Sequence, residues 1–247
     1  MRVSNMKQGM PFDHLRTLTS LFSKEEELVI LDVGANDGSS SLEYLQTFPK
    51  SHIVSFEPGT QAFRKLETNV RDFDQVKVEK LALSDTIGTK ILNVTNMNEY
   101  KDSSLYKVSK SSKSIQMNLH PKSEFITANF SEELVDVVTL DYYLSLNKPI
   151  RQKLIEIKSI MKIDTQGSEL SVLRGGSKVL QETPVSAIRL ELILDDVYQI
   201  PKNNVPEIFS LLYSLDYVLY DVSHIYKDYY RARTLWMDLI FVQEDLI

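Results

Sequence analysis

Short apolar runs alternate along the chain with segments in which apolar residues recur at helical spacing. The runs predict strands over 29–33, 52–56, 76–83, 89–94, 155–163, 185–194, 217–221 and 235–242. The helical spacing predicts helices over 12–22, 61–70, 168–173 and 205–215, and a further helix that begins near Leu42. This alternation is typical of βαβ units with right-handed crossovers. The pattern therefore predicts an α/β fold built around a mostly parallel sheet.

The first predicted strand runs directly into a glycine turn, Gly34-Ala35-Asn36-Asp37-Gly38. Glycine allows backbone angles, or a closeness of approach, that any side chain would obstruct. Ser39, Ser40 and Ser41 follow as candidate N-caps of the next helix. Strand, turn and helix N-terminus together predict a site where free backbone N–H groups face a ligand. A tight turn without a ligand is the alternative.

The middle of the chain is less regular. Residues 96–123 are rich in Asn, Ser and Lys, and a loop of this length is usually a functional lid or a mobile segment. Runs at 125–130 and 135–140 predict strands of a small antiparallel β insertion. We expect an N-terminal arm and helix over 1–26 and a single domain over 27–247, with an insertion or lid region at about 96–147.

Composition narrows the range of functions. The 247 residues are 43% hydrophobic and 25% charged, as in ordinary globular proteins, and the net charge is −6. Because no long Lys or Arg run occurs, binding to nucleic acid or to an anionic membrane surface is disfavoured. The absence of cysteine excludes disulfides, thiolate nucleophiles and thiolate metal sites. Four scattered histidines offer no recognisable ligand spacing, so no metal site is predicted.

No apolar run has the length of a signal segment or of a membrane span. We therefore expect a cytoplasmic protein without stable membrane insertion. The last strand or the N-terminal helix would allow two copies to pair as a homodimer.

Acidic residues stand at the predicted strand ends, where ligands bind in open parallel sheets. Glu57 follows the second strand, about 20 residues beyond the glycine turn, where such folds place a carboxylate on ribose hydroxyls. Asp85 follows the third strand and could face an adenine amino group, and Asp164 follows the fourth. Asp32 is either an acceptor that fixes the turn or a ligand contact. Each of the other three could instead be a loop or capping acid.

The spacing of the glycines separates two cofactor classes. A dinucleotide fingerprint requires Gly-x-Gly-x-x-Gly, so that the backbone can approach a pyrophosphate. Here Asn36 stands at the second glycine position and the third glycine is missing. S-adenosylmethionine has no phosphate, and its cationic sulfonium suits several nearby acids. The turn therefore favours S-adenosylmethionine over a nicotinamide dinucleotide.

Six sequence blocks occur in a characteristic order: LDVGANDGSSS (31–41), VSFEP (54–58), LALSDTIGT (81–89), DSSL (102–105), VTLDYYL (138–144) and MKIDTQGSELSVLRGG (161–176). In these blocks the chain resembles the FkbM-type methyltransferases, a family of S-adenosylmethionine-dependent O-methyltransferases. The last block is the most specific. The family often has glutamate where this chain has Gln166.

The resemblance implies a Rossmann-like class I methyltransferase fold, with a seven-stranded, mostly parallel sheet, helices on both faces and a small β insertion. It implies that the enzyme methylates a hydroxyl of a small molecule or glycan. It also implies cofactor contacts along the glycine turn and at the next two strand ends, with Asp164 near the point of methyl transfer. The predicted cofactor residues are Asp32, Gly34, Asn36, Gly38, Glu57, Ser84 and Asp85. Asp32 is included because it stands in the first strand, just before the glycine turn, and the resemblance implies the others.

A hydroxyl acceptor must lose a proton during methyl transfer. Asp164, Glu191 and His224 are the candidate bases, in that order, because Asp164 stands at a core strand end. The tyrosine-rich tail, which includes Tyr220, Tyr226 and Arg233, predicts either a wall for a sugar or for an acidic substrate, or the ordinary tyrosines of an edge strand. A nicotinamide-dependent oxidoreductase and a non-catalytic methyltransferase-like binding subunit are the alternative functions.

Overall fold

The computed structural model describes residues 14–95, 103–107, 109, 130–183, 185–195, 197–202, 204–227 and 233–247. Its strands are β1 (Val29–Val33), β2 (His52–Phe56), β3 (Val76–Glu79), β4 (Ala82–Leu83), β5 (Gly88–Thr95), β6 (Phe130–Val138), β7 (Ser159–Ile163), β8 (Ala187–Ile193), β9 (Tyr217–Lys227) and β10 (Thr234–Gln243). Its α-helices are α1 (His14–Leu21), α2 (Ser39–Thr47), α3 (Thr60–Val70), α4 (Leu140–Leu146), α5 (Lys148–Glu156), α6 (Glu169–Gly175), α7 (Ser177–Glu182) and α8 (Asn204–Ser214).

Seven strands form one sheet in the order β3-β2-β1-β7-β8-β10-β9. The first five pair in parallel, and β10 runs antiparallel to both β8 and β9. The expected α/β architecture with a mostly parallel seven-stranded sheet is therefore confirmed. A second sheet in the order β4-β6-β5 forms a small β insertion. The separate strand predicted over 135–140 is wrong, because β6 runs without a break over 130–138 and a helix begins at Leu140.

The central strands are apolar on both faces because helices cover both. On β1, Leu31 and Val33 belong to one buried cluster, and Ile30 belongs to another that contains Leu18 of α1 and Tyr44 of α2. Every residue of β1 and β7 is buried. The core therefore fixes the relative positions of the two strands whose ends carry the glycine turn and Asp164.

Several predicted boundaries are wrong, for local reasons. The single strand predicted over 76–83 divides at Glu79, because the Leu81 N–H donates to the Glu79 carbonyl in a turn (3.0 Å). The strand predicted from residue 155 begins only at 159, because a helix with a proline in its first turn occupies 148–156. Gly38, and none of the three serines after it, is the N-cap of α2.

Three predicted features lie wholly or partly outside the described residues. These are residues 1–13 of the arm and helix predicted over 1–26, most of the loop predicted over 96–123, and residues 125–129 of the strand predicted over 125–130. The division into an arm, a domain and a lid stays a prediction.

We expect Gly175→Ala to lower the free energy of unfolding by about 2 kcal/mol or more. A Cβ at Gly175 would lie 1.9 Å from the Ser84 carbonyl oxygen, so α6 or the end of β4 would have to move. Denaturant unfolding measures the loss. Lys178→Ala is the control, because that side chain is 69% exposed, and its effect should stay within about 0.5 kcal/mol. Equal effects of the two substitutions would contradict this close packing.

Candidate active site

A cavity of about 530 Å³ opens where β1 and β7 lie side by side. The chain runs outward from β1 to β3 on one side of this point and from β7 to β8 on the other. Ligands of open α/β sheets bind at such a reversal, beyond the carboxyl ends of the strands. The residues that line the cavity come from both sides, so it spans the reversal.

The glycine turn lies along the cavity and needs glycine at two positions. Gly34 has a φ of +79°, and a Cβ there would lie 1.9 Å from the Asp164 carbonyl oxygen. Gly38 has a φ of +85°, and its Cβ would lie 2.8 Å from Leu66 of α3. Both glycines are therefore required for packing. Gly34 and Asn36 line the cavity, whereas Gly38 does not.

A buried lysine connects the two central strands beneath the turn. The Nζ atom of Lys162 lies 3.2 Å from Asp32 and 3.6 Å from Asp164, and it donates to the Gly34 carbonyl at 2.6 Å. Burial alone would lower the pKa of Lys162, but the charges of Asp32 and Asp164 outweigh it and raise the pKa above its ordinary value. Asp32, which also accepts from the Ser41 hydroxyl (2.6 Å), lies beneath the cavity and is not among the residues that line it.

Glu57 lines the cavity beside the turn. Its carboxylate accepts the Asn36 N–H at 2.9 Å and the Gly59 N–H at 2.7 Å. Burial raises the pKa of Glu57 to about 7, against the lowering effect of the two N–H groups. A carboxylate has about four lone-pair sites, so two remain for other donors. Glu57 can therefore accept two ligand hydroxyls, and its charge depends on pH near neutrality.

An apolar wall continues the cavity from Glu57 toward β4 and β5. Its side chains are Phe56, Pro58, Leu81, Ala82, Leu83 and Leu92. Ser84 and Asp85 do not line the cavity, and both contact Lys90, whose Nζ lies 2.7 Å from the Ser84 hydroxyl and 3.4 Å from Asp85. The adenine contacts predicted for Ser84 and Asp85 stay predictions.

On the other side of the reversal, one amide joins two of the three candidate bases. The Nε2 of Gln166 donates to Asp164 at 2.9 Å and to Glu191 at 2.7 Å. The Tyr198 hydroxyl donates to the side-chain oxygen of Gln166, Oε1, at 3.3 Å. Burial, followed by the charge of Asp164, raises the pKa of Glu191 well above its usual range. The two carboxyl groups therefore share one amide donor, and Asp164 also lies 3.6 Å from Lys162.

The third candidate base lies elsewhere. His224 is exposed on β9, opposite Asp238 in the strand pairing, and does not line the cavity. The structure therefore brings Asp164 and Glu191 together and leaves His224 outside.

The loop after β7 is fixed by a buried acid that is not itself a cavity residue. Glu169 accepts the backbone N–H groups of Thr165 (3.1 Å) and Gly167 (3.0 Å), and burial raises its pKa to about 7. The backbone carbonyl of Gln166 accepts a hydrogen bond from the Ser104 hydroxyl at 2.6 Å, which connects the loop to the segment 103–107. These bonds hold Gln166 with a positive φ of 52°.

Comparison with known proteins identifies the family. The family model described as the methyltransferase FkbM domain matches residues 32–219, which is most of the chain. The chain belongs to the FkbM methyltransferase family. The resemblance is confirmed, and with it the expectation of an S-adenosylmethionine-dependent methyltransferase domain.

Two FkbM relatives are similar over part of their length. The 2-O-methyltransferase NoeI of Sinorhizobium fredii is 29% identical over 170 residues, which is 68% of this chain and 65% of NoeI. The AMB antimetabolite synthetase AmbE of Pseudomonas aeruginosa is 30% identical over 166 residues, which is 60% of this chain and 8% of AmbE. The chain thus matches less than two thirds of either relative.

Solved structures also align with the FkbM chain. A precorrin-6y C5,15-methyltransferase from Geobacter metallireducens aligns over 98% of this chain and 91% of its own, with a TM-score of 0.43 and 12% identity. Fibrillarin from Aeropyrum pernix aligns over 92% of this chain and 73% of its own, with a TM-score of 0.46 and 11% identity.

Within the described ranges, no helix combines the length and the apolar character that crossing a membrane requires.

Several cavity residues have no obvious sequence signal. Lys162 looks like a simple counter-charge to Asp164, and its contact with Asp32 follows only once β1 and β7 are known to be neighbours. Ser168 stands at the start of the helix predicted over 168–173, but no pattern places its side chain in the cavity. Asp195 follows the strand predicted over 185–194, in a segment that could have any loop conformation. Trp236 is recognisable only after β10 is placed beside β8.

We expect Lys162→Met to lower the free energy of unfolding by about 3 to 5 kcal/mol, because it leaves Asp32 buried without its counter-charge. Adding Asp32→Asn to Lys162→Met should recover part of that loss, since the uncompensated charge disappears. Denaturant unfolding of the two single variants and the double variant measures the coupling. Strictly additive losses would contradict a buried ion pair.

Proposed function

We propose that this FkbM protein transfers the methyl group of S-adenosylmethionine to a hydroxyl oxygen of a small molecule or glycan. The observation that carries the proposal is the single cavity that has the glycine turn and Glu57 on one side and the Asp164–Glu191 pair on the other. The name of the relative NoeI, a 2-O-methyltransferase, supports a hydroxyl as the acceptor.

The β1–β3 side of the cavity fits the cofactor. The side-chain oxygen of Asn36 is buried without a hydrogen-bond partner in the described structure, so it can accept from the cofactor's ammonium group. Glu57 has lone pairs for both ribose hydroxyls. The wall formed by Phe56, Leu81 and Leu83 offers apolar surface for the adenine ring. S-adenosylmethionine supplies the electrophilic methyl group, and the protein supplies position and exclusion of water.

The β7–β8 side can receive the proton that the acceptor hydroxyl loses. Asp164 is the base in our proposal, because it lines the cavity directly after the central strand β7, next to the glycine turn, and lies 3.6 Å from Lys162. Gln166 fixes the two carboxyl groups relative to each other. His224 has no part in the proposed reaction, since it does not line the cavity.

The cytoplasmic location, the absence of a nucleic-acid partner and the homodimer expected from the sequence stay predictions. So does the absence of a resident metal. A non-catalytic binding subunit would bind the cofactor without transferring the methyl group. Measuring both cofactor binding and methyl transfer therefore separates this alternative from an enzyme.

We expect Glu57→Gln to weaken binding of S-adenosylhomocysteine about tenfold or more at pH 8, because an amide oxygen cannot accept all the donors that the carboxylate accepts. Calorimetric titration measures the affinity. In the unchanged protein the affinity should fall as pH decreases from 8 to 6, since Glu57 has a pKa of about 7 and its protonated form has lost acceptor capacity. The Glu57→Gln variant should lack this pH step.

Asp85→Asn is the matched control for Glu57→Gln. Asp85 also follows a predicted strand but does not line the cavity. Our proposal places the adenine on the apolar wall and not on Asp85, as the sequence led us to expect, so the affinity should change less than about threefold. An unchanged affinity in Glu57→Gln, or a larger loss in Asp85→Asn, would contradict the placement of the cofactor.

We expect Asp164→Asn to reduce methyl transfer by about 10²-fold or more, while S-adenosylhomocysteine binding is retained, because the base is lost. Glu191→Gln should cost less than about tenfold, because an amide at that position can still accept from Gln166 and Glu191 is not the proposed base. Transfer of a labelled methyl group to a panel of hydroxylated glycosides measures both rates. Intact cofactor binding with no transfer to any hydroxyl compound would favour the non-catalytic alternative.

A further inference from the structure

The charged groups that line the cavity are strongly unbalanced. Its acidic residues are Asp37, Glu57, Asp164, Glu191 and Asp195, and Lys162 is the one base among the described lining residues. The charge of Lys162 already faces Asp32 and Asp164. Arg233, 3.8 Å from Asp195, lies outside the cavity lining and is half-exposed. On the acceptor side, which is the part of the cavity next to β7 and β8, an anionic group would therefore meet Asp164, Glu191 and Asp195. Among the described lining residues it would meet no cation other than Lys162.

An aromatic wall stands at the outer end of the acceptor side. The rings of Tyr226 and Trp236 stack at 4.0 Å with an interplanar angle of 4°, and both residues line the cavity. Trp236 pairs with Tyr226 across β9–β10 and with Ile193 across β8–β10, so the three form a row across the sheet. Glu191 lies two residues before Ile193, on the same face of β8 and about 7 Å deeper.

Among the described residues that line the cavity, Ser168 has a buried hydroxyl with no hydrogen-bond partner. The Oγ of Ser168 has no hydrogen bond in the described structure, and the residue is 2% exposed and lines the cavity. Ser168 is also the N-cap of α6, yet its side chain makes no capping bond. Buried polar atoms normally find a partner, so this hydroxyl points to a polar ligand group in the cavity.

We propose that the acceptor is a neutral or amine-bearing sugar ring, which rests on the Tyr226–Trp236 wall and directs its hydroxyl edge to Asp164 and Glu191. The inference rests on the proposed methyl transfer. A sugar ring combines an apolar face, which suits the aromatic wall, with hydroxyl donors, which suit carboxylate acceptors. An acidic sugar of the same shape is rejected, because its carboxylate would enter an acid-lined site without a counter-charge.

The test compares three probes that differ in charge: methyl β-D-glucoside, its 2-amino counterpart and its 6-carboxylate counterpart. Each is titrated into the protein saturated with S-adenosylhomocysteine. Trp236 is the single tryptophan of the chain, so its fluorescence reports binding in the cavity directly. We expect the neutral and amino sugars to bind about tenfold or more tightly than the carboxylate sugar.

Three variants separate stacking from charge. Tyr226→Ala should weaken the neutral sugar about threefold to tenfold, while Tyr226→Phe keeps the ring and should match the unchanged protein. Tyr220→Ala is the control, because Tyr220 lies on the same strand, is 40% exposed and does not line the cavity. Asp195→Asn should narrow the difference between neutral and carboxylate sugars, since it removes one of the repelling charges.

Equal or tighter binding of the carboxylate sugar would overturn the inference, as would failure of all three sugars to bind while S-adenosylhomocysteine binds. An equal loss in Tyr226→Ala and Tyr220→Ala would also overturn it. Failure of S-adenosylhomocysteine itself to bind would instead refute the proposed function, so the two failures are distinguishable.

Discussion

The contact on which the rest of the site depends is the buried ammonium of Lys162. It touches Asp32 on β1, the Gly34 carbonyl in the glycine turn and Asp164 at the end of β7. One cation thereby holds the turn on the cofactor side against the strand end that carries the proposed base. Without it, the fully buried Asp32 carboxylate would lose its counter-charge at the centre of the sheet, where water does not replace it.

The acids around the cavity are useful to a ligand and unfavourable for the empty protein. Burial raises the pKa values of Glu57 and Glu169 to about 7, so in the fold each binds a proton more tightly than in the unfolded chain, where the ordinary value is 4.5. Stability from these two groups is therefore lost as pH rises from about 4.5 through 7. A ligand that donates to ionised Glu57 offsets part of that loss, which links cofactor binding to the stability of the site.

The sequence was sufficient for the sheet and for most of the cofactor side. Period and length of the apolar runs place β1, β2, β7 and β8, and the glycine turn with Glu57 follows from the strand ends. The acceptor side was less predictable, because Glu191, Trp236 and Tyr226 meet only through the antiparallel pairing of β10, which local patterns do not encode. Ser84 and Asp85 satisfy the strand-end rule and still lie outside the cavity, since the chain turns at Glu79 and carries the apolar residues 81–83 into the wall.

The central claim is that this cavity binds S-adenosylmethionine at the glycine turn. Calorimetric titration of the purified protein with S-adenosylmethionine, S-adenosylhomocysteine and NADH in parallel tests it most directly. The structure and the FkbM family predict binding of both sulfur ligands at micromolar concentration and no binding of NADH. Binding of NADH in their place, or no binding of either sulfur ligand, would contradict the account.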